Sequence, residues 1–345
     1  MRYTRLIATM VALSLAGCFA GPVYKGAKSD HFDGTSFTNT VSADKSLWAL
    51  VQLAVGALFY SESWPQHIAS MPQKPLLVQE PHIGVTFINH STVLLQVDGV
   101  NILTDSMYIA YALARCHLRG CAACERLGCS STICRQLTSF SSATTTMTTL
   151  ISIPCSACNS ASRRTGRSLL LVGLGVGGLL KEHGFRNYRE LDWGQMVNHK
   201  GLRLIFSECR HRSGRGVRDQ MKTLWGSFVV QGAAGNIYFA GDTGYGPHFQ
   251  EARQRYGPFR LALLPIGAYE PRWFMAAVHL NPAEAGKAHL DLGSQQSVAI
   301  HFGTFQLTYE GIDQPVIDLR KALRAQALDK EDFWVLDFGE TRMLN

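Results

Sequence analysis

Three residues that could act as metal ligands stand at or just beyond the ends of apolar runs: His211, Asp242 and His301. A side chain at a strand end is held by a rigid element and can face a cleft. Neutral imidazole and carboxylate groups suit zinc and related metals. Taken singly, each residue also has an ordinary explanation. A histidine at a strand end is often a hydrogen-bonded structural residue, and Asp242 in the sequence GDTG could be a turn residue.

The stretch Ser142–Leu150 reads SATTTMTTL and has no evident role as protein. We interpret it as DNA read out of frame. If each true codon joins the third base of one residue to the first two bases of the next, every Thr supplies AC and yields His, Asn, Tyr or Asp. The codon of Met147 ends in G, which forces Asp at its junction with Thr148. One permitted spelling is Ser-His-Asn-His-Tyr-Asp-His-Leu, an H-x-H-x-D-H metal cluster. The alternative is a chance Thr-rich loop.

The flanking composition supports this interpretation. Between Ser106 and Ser168 there are seven cysteines, seven arginines and no lysine, and Glu125 is the only acidic residue. Such a balance is unusual for a folded segment and typical of GC-rich DNA in the wrong frame. We therefore expect the fold to be disrupted or disordered around 106–168.

The cysteines of this block have a rival explanation. Cys121-x-x-Cys124 and Cys155-x-x-Cys158 have the pairing of a four-cysteine zinc site. Their separation is longer than the usual spacing, and further cysteines are interspersed. In an oxidising compartment the same residues could instead form disulfides.

The N-terminus has the pattern of a lipoprotein signal peptide, assigned to residues 1–18. A basic start is followed by the apolar run Leu6–Leu15 and by Leu15-Ala16-Gly17-Cys18. About ten apolar residues are too few to span a bilayer, which needs about 20. We predict cleavage before Cys18, lipidation of its thiol and anchoring to a phospholipid membrane. Phe19, not Asp, follows, which favours the outer membrane. A plain signal peptide with an incidental cysteine is the alternative.

The net charge of +7 does not indicate a nucleic-acid partner. The 106–168 block contributes seven arginines against one acidic residue, and Arg2 and Arg5 belong to the signal peptide. The remaining chain is close to neutral. We therefore predict no nucleic-acid binding.

The rest of the chain is predicted to be a tether followed by a single domain. Residues 19–45 are polar and are expected to have little structure, and residues 46–345 form the domain. Lys45–Tyr60 has apolar residues at helical spacing, which predicts a packed helix. Strand-like runs then form meanders and later alternate with helices, ending in a final strand over Phe333–Leu336. This order favours two sheets flanked by helices over a single parallel sheet.

Several motifs resemble the metallo-β-lactamase-fold hydrolases, in particular the N-acyl-phosphatidylethanolamine-hydrolysing phospholipase D branch. The matching pieces are HFDG (31–34), TFINHSTVLL (86–95), NILTD (101–105), TLWGSF (223–228), YFAGDTGY (238–245), LPIGAYEP (264–271), HLNP (279–282) and AIHFGT (299–304). They cover about 31–105 and 169–340. The resemblance implies an α/β fold, a four-layer αββα sandwich with the site along one edge.

The resemblance also implies roles for individual residues. Asp242 would be the bridging and catalytic carboxylate, with His211 and His301 as metal ligands. Asp105 would orient a ligand from behind. His90 and His279 would lie near the site, and His279 would contact the substrate. The H-x-H-x-D-H motif is absent from the written sequence.

The implied reaction is metal-assisted phosphodiester hydrolysis of a phospholipid-like substrate. Two zinc ions would generate a hydroxide and clamp the phosphoryl oxygens during displacement. As written, the chain is expected to be inactive because the main ligand motif is missing. The alternative function is a non-catalytic envelope lipoprotein that affects membrane properties or permeability.

The out-of-frame interpretation requires particular bases at silent codon positions. Each restored His needs a C as the third base of the preceding written codon. We expect Ala143 to be GCC, and Thr145 and Thr148 both to be ACC. One shift should enter after about Asp105, and a compensating shift should restore the frame before about Leu169. Sequencing the gene tests this, and any other third base at one of the three codons would refute the frame.

The lipid anchor can be tested by changing Cys18→Ala. Without the thiol no lipid can be attached, so the protein should leave the membrane fraction. Fractionation and mass spectrometry of the N-terminus measure the effect. Unchanged fractionation together with an unchanged N-terminal mass would show that Cys18 carries no lipid.

Overall fold

A computed structural model describes residues 23–40, 47–60, 62, 64–65, 82–105, 150–153, 169–182, 185–214 and 219–344. The predicted signal peptide, Cys18, most of the 106–168 block and both CxxC pairs lie outside these residues.

Two mixed sheets stack face to face. In the described residues each sheet has seven strands. The first sheet has the spatial order β14-β1-β2-β3-β4-β5-β6, and the second has the order β13-β12-β11-β10-β9-β8-β7. The strands of the first sheet are β1 (Ile83–Asn89), β2 (Thr92–Val97), β3 (Val100–Thr104), β4 (Leu150–Ile153), β5 (Leu169–Gly173), β6 (Tyr188–Leu191) and β14 (Thr341–Leu344). Those of the second are β7 (Met196–His199), β8 (Leu202–Ser207), β9 (Ser227–Gly232), β10 (Gly235–Phe239), β11 (Leu261–Pro265), β12 (Gln296–Ile300) and β13 (Phe333–Trp334).

Helices cross between the parallel strands of the second sheet. The described helices are α1 (Leu47–Tyr60), α2 (Gly177–Glu182), α3 (His248–Tyr256), α4 (Arg272–Met275), α5 (Pro282–Leu292) and α6 (Gln314–Ala325). Strands β10 to β13 are mutually parallel, and α3, α5 and α6 lie in the connections between them. The two-sheet α/β sandwich predicted from the sequence is therefore confirmed.

The strand sequences fit a sheet that is buried on both faces. In β9, Phe228 and Val230 face the first sheet, whereas Val229 faces the helices. Successive side chains of a strand point to opposite faces, so a strand covered on both sides reads as continuously apolar. The inter-sheet core also contains Phe87 and Phe206, and all of these side chains are fully buried.

The sequence marks both ends of helix α5. The Asn281 side chain accepts a hydrogen bond from the Glu284 N–H, and the Glu284 side chain accepts one from the Asn281 N–H. This is a capping box, and Pro282 follows in the first turn. Gly293 ends the helix in the left-handed conformation, with φ of 59°.

The prediction of disorder around 106–168 is wrong at β4. Leu150–Ile153 pairs antiparallel with β3 on one side and with β5 on the other. This short apolar run therefore occupies a central position of the first sheet. The flanking stretches 106–149 and 154–168 lie outside the described residues.

Two further predictions about local structure are corrected. Residues 23–40 were expected to have little structure, but Phe32 and Phe37 are buried in the inter-sheet core and form a β-bridge with each other. Phe333–Leu336 is not the final strand, because β13 covers only Phe333–Trp334 and β14 follows it. β14 pairs with β1 and completes the edge of the first sheet.

Candidate active site

The candidate residues meet along one edge of the sandwich. His211, Asp242 and His301 follow the carboxyl ends of β8, β10 and β12, which point in the same direction within the second sheet. His90 follows β1, and Asp105 follows β3, in the first sheet. All five residues are buried. The three candidate ligands, which the sequence places at strand ends, thus lie at a common edge.

Asp242 and His301 are the closest pair. Asp242 Oδ1 and His301 Nε2 are 3.1 Å apart, yet they are not aligned as a hydrogen bond, and Asp242 Oδ1 has no hydrogen-bond partner. The other ring nitrogen of His301, Nδ1, is also buried without one. Buried polar atoms in proteins are nearly always hydrogen-bonded. Asp242 and His301 therefore form a buried ion pair that keeps hydrogen-bonding capacity for a ligand.

The histidines keep Asp242 ionised. Burial alone would raise the pKa of its carboxyl, but nearby His301, His211 and His279 lower the pKa well below its usual range. His301 shows the reciprocal effect. Burial lowers its pKa, but the contact with Asp242 and the charge of Asp105 outweigh burial and raise it. The edge therefore holds a negative charge whose balance comes from imidazoles.

Four histidine rings form a continuous cluster around this carboxylate. The ring centroids of His90 and His301 are 4.0 Å apart, and those of His279 and His301 are 5.2 Å apart. The ring centroids of His211 and His279 are also 5.2 Å apart. Burial and nearby His301 hold the pKa of His90 well below its ordinary value, so its ring is neutral at neutral pH. Both histidines predicted to lie near the site, His90 and His279, are thus in direct contact with the candidate ligands.

The backbone is strained where it positions the cluster. His90, Asp105 and His301 have positive φ angles of 47°, 28° and 61°, a region that non-glycine residues adopt at a cost. The His301 N–H donates to the His90 carbonyl oxygen at 2.7 Å, which joins the two sheets at this point. Gly267 allows the close approach, because a Cβ there would lie 2.1 Å from the His301 carbonyl oxygen.

The ring of His211 is fixed in one tautomer. Its Nδ1 lies 2.8 Å from the carbonyl oxygen of Arg212. A carbonyl oxygen only accepts, so Nδ1 carries a proton, and in the neutral ring the lone pair is then on Nε2. A backbone hydrogen bond of this kind is the usual support of a metal-binding histidine.

Asn39 holds the main chain of His211, a role that sequence reasoning did not assign. Its amide donates to the His211 carbonyl oxygen at 2.8 Å and accepts from the His211 N–H at 3.2 Å. The indole N–H of Trp225 also donates to Asn39 Oδ1. Asn39 belongs to the stretch predicted to be a tether. The proximity in sequence of Asn39 to the apolar pair Phe32 and Phe37 was the available signal that this stretch is packed.

The described residues do not by themselves fit a metal ion. Within this part of the chain, no three His, Cys, Asp or Glu side chains are grouped closely enough to hold one. Asp242 and His301 are at contact distance, whereas His211 approaches through His279. The edge supplies part of a ligand set, and the position predicted for H-x-H-x-D-H, Thr144–Thr149, lies outside the described residues.

Comparison with known proteins identifies the family. Residues 161–302, which include all three candidate ligands, match a family model described as a beta-lactamase superfamily domain. The protein Rv0906 of Mycobacterium tuberculosis is 34% identical over 266 residues, covering 73% of this chain and 69% of that protein. The chain belongs to the metallo-β-lactamase superfamily. The family resemblance inferred from the motifs is thereby confirmed.

Other members of the superfamily bear on the branch. The N-acyl-phosphatidylethanolamine-hydrolyzing phospholipase D 1 of Caenorhabditis elegans is 29% identical over 273 residues, covering 76% of each chain. The outer membrane protein RomA of Klebsiella pneumoniae is 38% identical over 95 residues, which cover 28% of this chain and 70% of that protein. A possible metal-dependent hydrolase from Veillonella parvula has a TM-score of 0.51 at 14% identity, covering 76% of this chain and 100% of that chain, and shares the fold.

Replacing Asn39 should destabilise the protein. Asn39→Ala removes both hydrogen bonds to the main chain of His211 and the bond from Trp225, so we expect a loss of about 1–3 kcal/mol in the free energy of unfolding. Thr38→Ala is the matched control, because Thr38 is exposed and its hydroxyl makes a long contact of 3.5 Å with the His31 carbonyl oxygen, so it should change the free energy by less than about 0.5 kcal/mol. Urea unfolding measures both. Equal effects of the two variants would show that Asn39 does not support the site.

Proposed function

We propose that the gene encodes a lipid-anchored, zinc-dependent phosphodiesterase of the phospholipase D type, and that the chain as written is its inactive form. The observation that carries the proposal is the buried cluster around Asp242, in which a carboxylate oxygen without a hydrogen-bond partner lies 3.1 Å from His301 Nε2. In a metallo-β-lactamase sandwich this edge is where strand ends bring such side chains together.

The proposed roles follow the chemistry of each side chain. Asp242 stays ionised because of the surrounding imidazoles, which suits a bridging carboxylate. His211 presents its Nε2 lone pair, and His301 lies against Asp242, so both are assigned as ligands. Asp105 lies close enough to raise the pKa of His301 and is assigned to orient it.

The substrate class comes from the relatives and from the anchor. A phospholipid is the substrate named for the relative in Caenorhabditis elegans. His279 contacts both His211 and His301, and His90 contacts His301. We assign these two histidines to contact a phospholipid-like substrate. A phosphodiester carries a negative charge, which hydrogen-bond donors at this edge would accommodate.

The anchor is proposed at Cys18, which would hold the protein at the outer membrane. Among the described residues no helix combines the length and the apolar character needed to cross a bilayer. The relative from Klebsiella pneumoniae is named as an outer membrane protein. Lipidation at Cys18 would account for membrane attachment without a spanning helix.

A second candidate function is a non-catalytic envelope lipoprotein that affects membrane properties. It is favoured by one observation. Among the described residues, no group of three potential ligands can hold a metal ion. Such a protein would keep the sandwich and act through binding. Metal content separates the two candidates.

Zinc analysis tests the proposal. The purified chain as written should hold fewer than about one zinc ion and show negligible phosphodiesterase activity, because a pair of metals needs ligands from both halves of the site. The gene corrected at both frame junctions should yield about two zinc ions per chain and hydrolyse an N-acyl-phosphatidylethanolamine. Elemental analysis and product chromatography are the measurements.

The control is Asp242→Asn in the corrected protein, which should lose both zinc and activity while remaining folded. In the chain as written, any zinc held by the cysteine block should instead survive Asp242→Asn. If the chain as written binds two zinc ions that Asp242→Asn removes, the described residues suffice and the proposal of an inactive form is wrong.

A further inference from the structure

Helix α1 has no charged side chain in any of its 14 residues, which read LWALVQLAVGALFY. A helix that is apolar all round is normally buried in a protein core or in a membrane. At a rise of about 1.5 Å per residue α1 is about 21 Å long, whereas the hydrocarbon core of a bilayer is about 30 Å thick. The helix is therefore too short to span a bilayer.

One face of α1 is fastened to the domain. The hydroxyl of Tyr309 donates to the Leu53 carbonyl oxygen at 2.6 Å. Gly56 lies directly against the same ring, since a Cβ there would be 2.2 Å from the Tyr309 hydroxyl oxygen. Beyond the helix, the Glu62 N–H and the Trp64 indole bond the carbonyl oxygens of Tyr309 and Glu310. These contacts fix which side of the helix faces the protein.

A second face, about 100° around the helix from the Tyr309 contact, is exposed and largely apolar. Trp48, Gln52, Val55 and Phe59 are exposed and spaced four, three and four residues apart, so they form one stripe along the helix. Trp48 is 67% exposed and Phe59 76% exposed. Tyr60, at the end of the helix, is 72% exposed. Gln52 is the one polar member of the stripe. We call Trp48, Val55 and Phe59 the apolar stripe. Tyr60 lies on the side of Tyr309, with ring centroids 6.3 Å apart.

The segment that carries Tyr309 connects α1 to the candidate active site. The segment that carries Tyr309 starts directly after His301, and its Phe305 packs edge-on against His90 with ring centroids 5.2 Å apart. Leu307 in the same segment is also exposed. A surface that docks through the apolar stripe would therefore contact a helix that this segment links to the histidine cluster.

We propose that α1 lies in the plane of a lipid bilayer surface, with the apolar stripe inserted among the headgroups and the first acyl carbons. Tryptophan and tyrosine prefer this interface, and they stand near the two ends of α1. The absence of charge fits a neutral membrane surface. Cys18, the predicted lipid site, is five residues before Val23, and the segment that starts there packs against His211 through Asn39.

This surface is a second contact with the membrane, separate from the lipid on Cys18. It needs neither metal nor hydrolysis, so it does not depend on the proposed function. It would turn the histidine cluster towards the lipid, whereas a flexible acyl anchor alone leaves the orientation of the domain open.

Vesicle binding by the mature chain without its lipid, produced from residue 19 onward, tests the proposal. The vesicles are phosphatidylcholine alone, and phosphatidylcholine with anionic phosphatidylglycerol. The test variant is Trp48→Ser with Phe59→Ser. The matched control is Trp273→Ser with Ile317→Ser, which removes a tryptophan and an aliphatic residue of similar exposure on α4 and α6. Co-sedimentation measures the partition, and tryptophan fluorescence reports insertion.

We expect the unlipidated chain and the control to bind neutral vesicles. The test variant should bind at least about tenfold more weakly, since two large apolar side chains no longer enter the interface. Equal binding of test and control variants, or binding that requires the anionic lipid, would overturn the proposal. So would size-exclusion data in which the chain is a dimer and only the test variant is a monomer, because a second copy would then cover the apolar stripe.

The unfolding midpoints of the three proteins must agree. Since the replaced side chains are exposed, we expect them to. A lower midpoint for the test variant alone would also count against the proposal, because the stripe would then be part of the packed structure.

Discussion

The buried charge of Asp242 is the constraint around which this edge of the molecule is arranged. A carboxylate removed from water is strongly disfavoured unless positive or polar groups surround it. Here the compensation comes from His301, His211 and His279, which lower its pKa below the usual range. Each of these residues is held by a different element. The ends of β8 and β12, and the loop before α5, must therefore meet at one place for the carboxylate to remain ionised.

The backbone is strained where these residues come together. His90 and His301 adopt the left-handed region and are linked by a main-chain hydrogen bond across the two sheets. Strain of this type persists where the surrounding structure over-determines it. The apolar core between the sheets supplies that rigidity, because Phe87, Phe206 and Phe228 are fully buried directly behind the strand ends.

The sequence predicted those elements whose hydrophobic pattern is strong. The helix predicted over Lys45–Tyr60 is observed as α1 (Leu47–Tyr60), since its apolar residues recur at helical spacing. β6, β7 and β14 were missed because they are short and largely half-exposed, so their sequences carry little apolar signal. β4 was missed for another reason. Its four residues lie in a block whose composition argues against any fold, yet main-chain pairing with β3 and β5 asks little of side-chain identity. At the site, ligand types at strand ends were readable, but the support of His211 by Asn39 depends on a contact between residues 172 positions apart.

The pairing of β14 with β1 has a consequence for how the chain acquires its structure. The last described residues, Thr341–Leu344, form the outer edge of the sheet that begins with Ile83. While the chain is being synthesised, β1 has its partner β2 but lacks its other neighbour until residues 341–344 have been made. Pairings of such high sequence separation make folding slow. Until β14 has been made, β1 therefore presents an open sheet edge of the kind that invites pairing with other chains.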